Sequence, residues 1–202
     1  MANRSGGVRH EADGDNDVYF HRWNAEELIS YLRPHYLKQL DRERCRVLDA
    51  CAGEGVLGKV FARKYPQAAV VYQDIKTSGE SILDFEDDEG FDIIICNPPW
   101  IPVELPEAIY HKLDDDLLNP GGVLFFVINN TFCYQGPERA LALDFQKFYF
   151  LPRYAFATSG KALLDCGVMV HHYMDTMLDQ AAELRPFIPL SRVKGDEMEE
   201  LL

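Results

Sequence analysis

The 202-residue chain is short of positive charge: 20 Lys and Arg stand against 33 Asp and Glu, a formal net charge of -13. Such a surface repels polyanions as a whole, which excludes a nonspecific nucleic-acid coat protein. No apolar run approaches the about 20 residues that span a bilayer, and residues 1–17 lack the apolar centre of a signal peptide. The expectation is a cytoplasmic protein without membrane contact. The five cysteines, Cys45, Cys51, Cys96, Cys133 and Cys166, include no C-x-x-C pair, which speaks against a disulfide scaffold and for buried thiols in a reducing compartment. No G-K-[ST] occurs, so a triphosphate is not expected, and no Pro-Cys dipeptide is present for cytosine C5 chemistry.

With 47% hydrophobic and 12% aromatic residues the chain can bury one continuous core. Residues 1–17 read as a flexible polar arm, 18–175 as the folded domain and 176–202 as an acidic C-terminal segment. Helical spacing of Leu28, Ile29, Leu32, Tyr36 and Leu37 predicts a helix over 24–40, with Asn24 as its N-cap. RVLDA at 46–50 predicts a strand, and CAGEGVLGKVFARKY a glycine turn running into an amphipathic helix. AVVYQDI and FDIIIC predict two further strands, the second stopped by Pro98-Pro99. ELPEAIYHKLDDDLL reads as a helix ended by NPGG, VLFFVINN as a buried strand, and PERALALDFQKFYF as another helix. PRYAFATS and CGVMVHHYM read as an antiparallel hairpin at a sheet edge. Strands alternating with helices predict an α/β fold with a mostly parallel, doubly wound sheet, whose ligands lie at the carboxyl ends of the strands.

Two motifs fall at those ends. Asp49-Ala50-Cys51-Ala52-Gly53-Glu54-Gly55 lets backbone approach a ligand where side chains are absent. Asp74 ends the next strand, where a carboxylate can accept from two ribose hydroxyls. Asp84-Phe85 is a weaker candidate for the edge and face of an adenine, since Glu86 onward reads as a solvated turn. Asn97-Pro98-Pro99-Trp100 is the most specific motif. A planar amino group has its lone pair delocalised and is a poor nucleophile. If the Asn97 side-chain oxygen and the Pro98 carbonyl accept its two hydrogens, the lone pair is freed toward an electrophile while Trp100 stacks on the base. No metal site is expected: His171 and His172 point to opposite faces of a strand, and no ligand stands at suitable spacing.

The glycine turn after a strand, an acid at the next strand end and NPPW at a later one resemble the class I S-adenosylmethionine-dependent methyltransferases of the amino-methylating kind, over roughly Val47 to Asp175. Arg139 and the stretches 151–165 and 167–175 resemble, more loosely, the end of small phage-type N6-adenine DNA methyltransferases. The resemblance implies a single-domain Rossmann-like methyltransferase fold with an antiparallel C-terminal hairpin, and S-adenosyl-L-methionine as cofactor. It places Asp49, Ala52, Gly53 and Gly55 along the methionine part, Asp74 and Ile75 at ribose and adenine, and Asp84 and Phe85 at the adenine edge. Asn97, Pro98, Pro99 and Trp100 become catalytic, with Asn97 also beside the cofactor. The segment Phe20 to Trp23 stands where the family closes over the methionine carboxylate, so Trp23 joins the cofactor residues, although FHRWN replaces the usual motif there.

The implied reaction is methyl transfer to N6 of adenine in nucleic acid, DNA before RNA. No segment long enough for a target-recognition domain is inserted, so low sequence specificity, a single-stranded or RNA substrate, or a protein partner that supplies recognition is expected. A basic strip drawn from Arg139, Lys147, Arg153 and Lys161 is a candidate contact. Two alternatives keep the fold: a protein glutamine-amide N-methyltransferase, whose planar amide suits the same frame, and a catalytically silent partner subunit.

Overall fold

A computed structural model describes residues 19–20, 25–26, 28–30, 44–99, 102, 104–129, 143, 147–151, 156–157, 166–172 and 183–185. In chain order these contain β1 (Tyr19–Phe20), β2 (Arg46–Ala50), α1 (Val56–Lys64), β3 (Ala69–Gln73), α2 (Ile75–Ser78), β4 (Phe91–Cys96), α3 (Leu105–His111), β5 (Leu118–Asn129), β6 (Lys147–Leu151), β7 (Phe156–Ala157), β8 (Cys166–His172) and β9 (Glu183–Arg185). Seven strands form one sheet in the order β3-β2-β4-β5-β8-β6-β9, and β1 pairs with β7 in a separate two-stranded sheet. Strands β3, β2, β4 and β5 are mutually parallel. β8 runs against both its neighbours, β5 and β6, and β9 lies parallel to β6.

The central strands are mostly apolar because both their faces are covered. On one face Leu48, Ala50, Ile94, Cys96, Leu124 and Phe126 pack in a cluster with Ile109 and Tyr110 of α3. The other face meets α1, whose buried side is Leu57, Val60 and Phe61. Helical residues 25–26 and 28–30 bury Ala25, Leu28 and Ile29. They ride on α1 through the Glu26–Arg63 ion pair and through Lys64, whose Nζ donates to Glu26 O at 3.1 Å and to Ser30 Oγ at 2.5 Å.

The crossover from β3 to β4 is short. α2 is a single turn, a second turn follows at Ser81–Phe85, and β3 is left at the sheet edge. Arg46, the first residue of β2, clasps the far end of this crossover. Its guanidinium donates to both oxygens of Asp87, at 2.7 and 2.9 Å, and to Gly90 O at 2.7 Å, while lying 4.6 Å from the Phe91 ring centroid. Such a planar fork holds a carboxylate in a way a lysine cannot.

Several expectations are corrected. KFYFL, expected to close a helix, is β6, because aromatic residues at strand spacing find partners on both sides in β8 and β9. PRYAFATS does not pair with CGVMVHHYM: β7 pairs with β1, and β8 is not at an edge but sits between β5 and β6. NPGG does not separate helix from strand. Leu118 already pairs with Phe91, and the register then slips between Phe91 and Ile93, with Gly121 at φ +79° inside the irregularity. Within the acidic segment 176–202, β9 pairs in parallel with β6. α3 also does not continue as one α-helix but widens into a π turn over Lys112–Leu117.

Candidate active site

The sheet registers assemble the site. Ala50 lies opposite both Gln73 of β3 and Cys96 of β4. The turn that leaves β2 is therefore flanked by Asp74 on one side and Asn97 on the other. Positive φ angles at Cys51 (+56°), Gly53 (+53°) and Gly55 (+71°) coil this turn over the strand ends. Gly55 is the left-handed residue from which α1 starts, with no side-chain cap.

Asp74 is 9% exposed and both its oxygens are engaged. Gly53 N donates to Oδ2 at 2.8 Å, and Lys76 N donates to Oδ1 at 2.9 Å, which makes Asp74 the N-cap of α2. Ala52 N donates to Gln73 O at 3.0 Å, so two amides of the glycine turn are tied to the end of β3. Each Asp74 oxygen keeps a further lone pair for a ligand. Ile75 beside it is 60% exposed, an apolar side chain left uncovered next to a buried acid.

Asp49 is 2% exposed and accepts from Gly58 N, in the first turn of α1, at 2.7 Å. Burial pushes its carboxyl up to about 7; the Gly58 amide and Lys59 act against that rise, and Asp74 adds to it. Tyr72, opposite Asp49 in the ladder, covers this region, and burial together with the Asp49 charge raises its phenol.

Asn97 follows β4 directly and is half-buried, Pro98 is buried and Pro99 exposed. Asp84 is exposed on the Ser81–Phe85 turn. Phe85 stacks on Phe91, with centroids 6.5 Å apart. Phe91 opens β4, about 20 Å from Asn97 at roughly 3.3 Å per residue. The structure thus brings Asp49, Ala52, Gly53, Gly55, Asp74, Ile75, Asn97 and Pro98 to one end of the sheet, and it directs the Phe85 ring to the Phe91 end instead. Trp23 and Trp100 lie outside the described residues, as do Arg139, Arg153 and Lys161. Among the described residues no group of His, Cys, Asp and Glu could hold a metal ion, and no helix is long and apolar enough to cross a membrane.

No family model and no curated protein sequence matches the chain. Among solved structures it is similar to the methyltransferase subunit of a type I restriction-modification system from Streptococcus thermophilus, at 15% identity and a TM-score of 0.56, over 78% of this chain and 46% of that one. The fold is a Rossmann-like methyltransferase fold. The chain spans about half the length of that subunit. TrmN from Thermus thermophilus (18% identity, TM-score 0.48, covering 73% and 47%) and a TehB-like S-adenosylmethionine-dependent methyltransferase from Corynebacterium glutamicum (14%, 0.42, 77% and 88%) are also similar.

Within this methyltransferase fold, two residues passed over in the sequence matter at the site. Gly58 completes G-x-G-x-x-G spacing with Gly53 and Gly55, which was the signal available for it. A Cβ there would lie 2.5 Å from Tyr72 Cε1 and 2.8 Å from Asp49 Oδ2, so the glycine serves close helix-strand packing over the acid. Gln73 is buried beside Asp74. Its Nε2 donates to Glu80 O at 2.7 Å, and its buried Oε1 accepts no hydrogen bond from a described residue. Nothing in local sequence marks it, because its burial comes from the crossover folding back.

Proposed function

We propose that the chain is an S-adenosylmethionine-dependent methyltransferase acting on the N6 amino group of adenine in nucleic acid, DNA before RNA. One observation carries the reading: register sets the glycine turn, Asp74 and the Asn97-Pro98-Pro99 tip side by side at the carboxyl ends of neighbouring parallel strands. The residues fit the cofactor. Asp74 offers lone pairs from a fixed carboxylate to vicinal ribose hydroxyls, Ile75 an apolar face to the adenine, and the Gly53–Gly55 turn an open backbone to the methionine part. When bound, the cofactor supplies a methyl group on a sulfonium.

The chain's own task is to prepare the acceptor. Asn97 Oδ1 and the Pro98 carbonyl accept the two hydrogens of the target amine, which draws its lone pair out of conjugation and offsets the positive charge that develops on nitrogen. Pro98 and Pro99 fix the carbonyl direction, so little ordering is lost on binding. Trp100, by the family resemblance, gives the base a face to stack on. The similarity to a restriction-modification subunit supports a nucleic-acid acceptor and a partner chain that supplies recognition, in keeping with a net charge of -13.

Nucleoside mass spectrometry on DNA and RNA from cells expressing the chain or its Asn97→Ala variant tests the reading. N6-methyladenine is expected to rise in DNA with the unaltered chain and not with the variant. An equal rise with both removes Asn97 from the mechanism, and a rise in neither polymer overturns the assignment of the acceptor.

A further inference from the structure

We propose that Cys51 and Cys96 are a peroxide-oxidisable dithiol, a disulfide-forming modification site in the wall between the glycine turn and the Asn97 tip. β2 and β4 are parallel neighbours with Ala50 opposite Cys96, so Cys51 stands one residue beyond that pair. Continued strand alternation sends its side chain to the Asp49 face, away from Cys96. The φ of +56° at Cys51 reverses this, and Cys51 packs against the cluster on the other face, of which Cys96 is a member. The left-handed region is unfavourable for a residue with a Cβ, so its occupation by a cysteine here is a feature that asks for a use.

The two thiols are near enough for Cys51 to act on the Cys96 proton. A strand spacing of about 4.8 Å with a one-residue offset of roughly 3.3 Å sets the two Cα atoms roughly 6 Å apart, inside the range a disulfide spans. Cys45 is buried at the opposite end of β2 and cannot compete.

Their unequal burial assigns the roles. Cys51 is partly exposed and meets the oxidant first; Cys96 is fully buried. Peroxide from solvent does not reach the enclosed Cys96, whose thiol burial also pushes up, so Cys96 acts only on a sulfur already beside it. The Cys51 thiolate sulfur attacks one oxygen of hydrogen peroxide. The O–O bond breaks, hydroxide leaves, and Cys51 becomes a sulfenic acid. The Cys96 sulfur then attacks the Cys51 sulfur and displaces hydroxide, which takes the Cys96 proton and departs as water. Two thiols are oxidised to one disulfide as one peroxide is reduced to two waters.

The test treats the full chain with hydrogen peroxide, blocks remaining thiols with N-ethylmaleimide and maps peptides by mass spectrometry. Most of the Cys51 peptide is expected joined to the Cys96 peptide and released by dithiothreitol. In Cys96→Ser, Cys51 is expected to persist as a sulfenic acid that dimedone traps, and in Cys51→Ala, Cys96 is expected to stay unmodified. A Cys51 that remains free in the unaltered chain, or that pairs with Cys133 or Cys166, overturns the proposal. If a serine variant does not fold, the linkage in the unaltered chain still decides.

Discussion

The Gly53 amide donates to Asp74 Oδ2 at 2.8 Å, so the turn after β2 and the acid after β3 are held as one unit. The same carboxylate caps α2 through Lys76 N, and the turn is tied a second time through Ala52 N and Gln73 O. A site wall of this kind is preorganised before any ligand arrives, because the Ala52, Gly53 and Gly55 amides already have fixed acceptors.

Replacing Asp74 by Ala removes both acceptors. Binding of S-adenosylhomocysteine, followed by calorimetry, is expected to weaken by about 1.5 to 3 kcal/mol, the range for hydrogen bonds to a charged group. Asp74→Asn keeps one oxygen acceptor and is expected to fall between. An unchanged dissociation constant in Asp74→Ala removes this residue from the site.

Gly58→Ala forces a Cβ to within 2.8 Å of Asp49 Oδ2 and 2.5 Å of Tyr72 Cε1. Tyr72 is 43% exposed and has room to swing, whereas Asp49 is enclosed. The variant is expected to lose about 1 to 3 kcal/mol of stability in denaturant titration, although alanine is the better helix former. Placing it on Asp49→Ala should cost less than the sum of the two single changes.

Asp49 makes stability depend on pH. The folded carboxyl keeps its proton up to about 7, while the unfolded chain releases it near 3.8. Between those values the folded state binds more protons, so stability falls as pH rises through that window, by up to about 1.4 kcal/mol per unit. Asp49→Asn carries no such proton. Its stability relative to the unaltered chain is expected to climb from pH 4 to about pH 7 and then level off, as read from unfolding curves of both proteins. A difference that is flat with pH contradicts the raised carboxyl.

Arg46→Lys keeps the charge but loses the fork on Asp87. Because this pair is only partly screened from solvent, the expected loss is about 1 to 2 kcal/mol, with earlier hydrogen exchange at Glu89 and Gly90, whose amides donate to Asp87. Equal stability of the two proteins in thermal unfolding removes the clasp from the fold's support.

Much of this site is legible in local sequence. RVLDA, AVVYQ and FDIIIC are short apolar runs, each followed by turn chemistry in Gly53 and Gly55, in the Asp74 cap or in Pro98, and each becomes a strand where expected. The positions of Asp49, Asp74 and Asn97 at strand ends follow from those runs alone. Phe85 was harder, since an acid-aromatic pair after a strand suits a ligand face as well as a core contact, and only its packing on Phe91 distinguishes them.

What the chain decides locally is where strands begin, turn and stop, because apolar periodicity and the restricted torsions of glycine and proline act over a few residues. Only the tertiary structure decides which strands meet. β8 runs backward between β5 and β6, KFYFL becomes a strand because partners lie on both sides, and β9 joins from the acidic segment beyond residue 175. The meeting of Cys51 with Cys96 and the raised carboxyl of Asp49 have the same origin. Each is set by neighbours distant in sequence, through ladder pairing and burial that no single stretch of the chain contains.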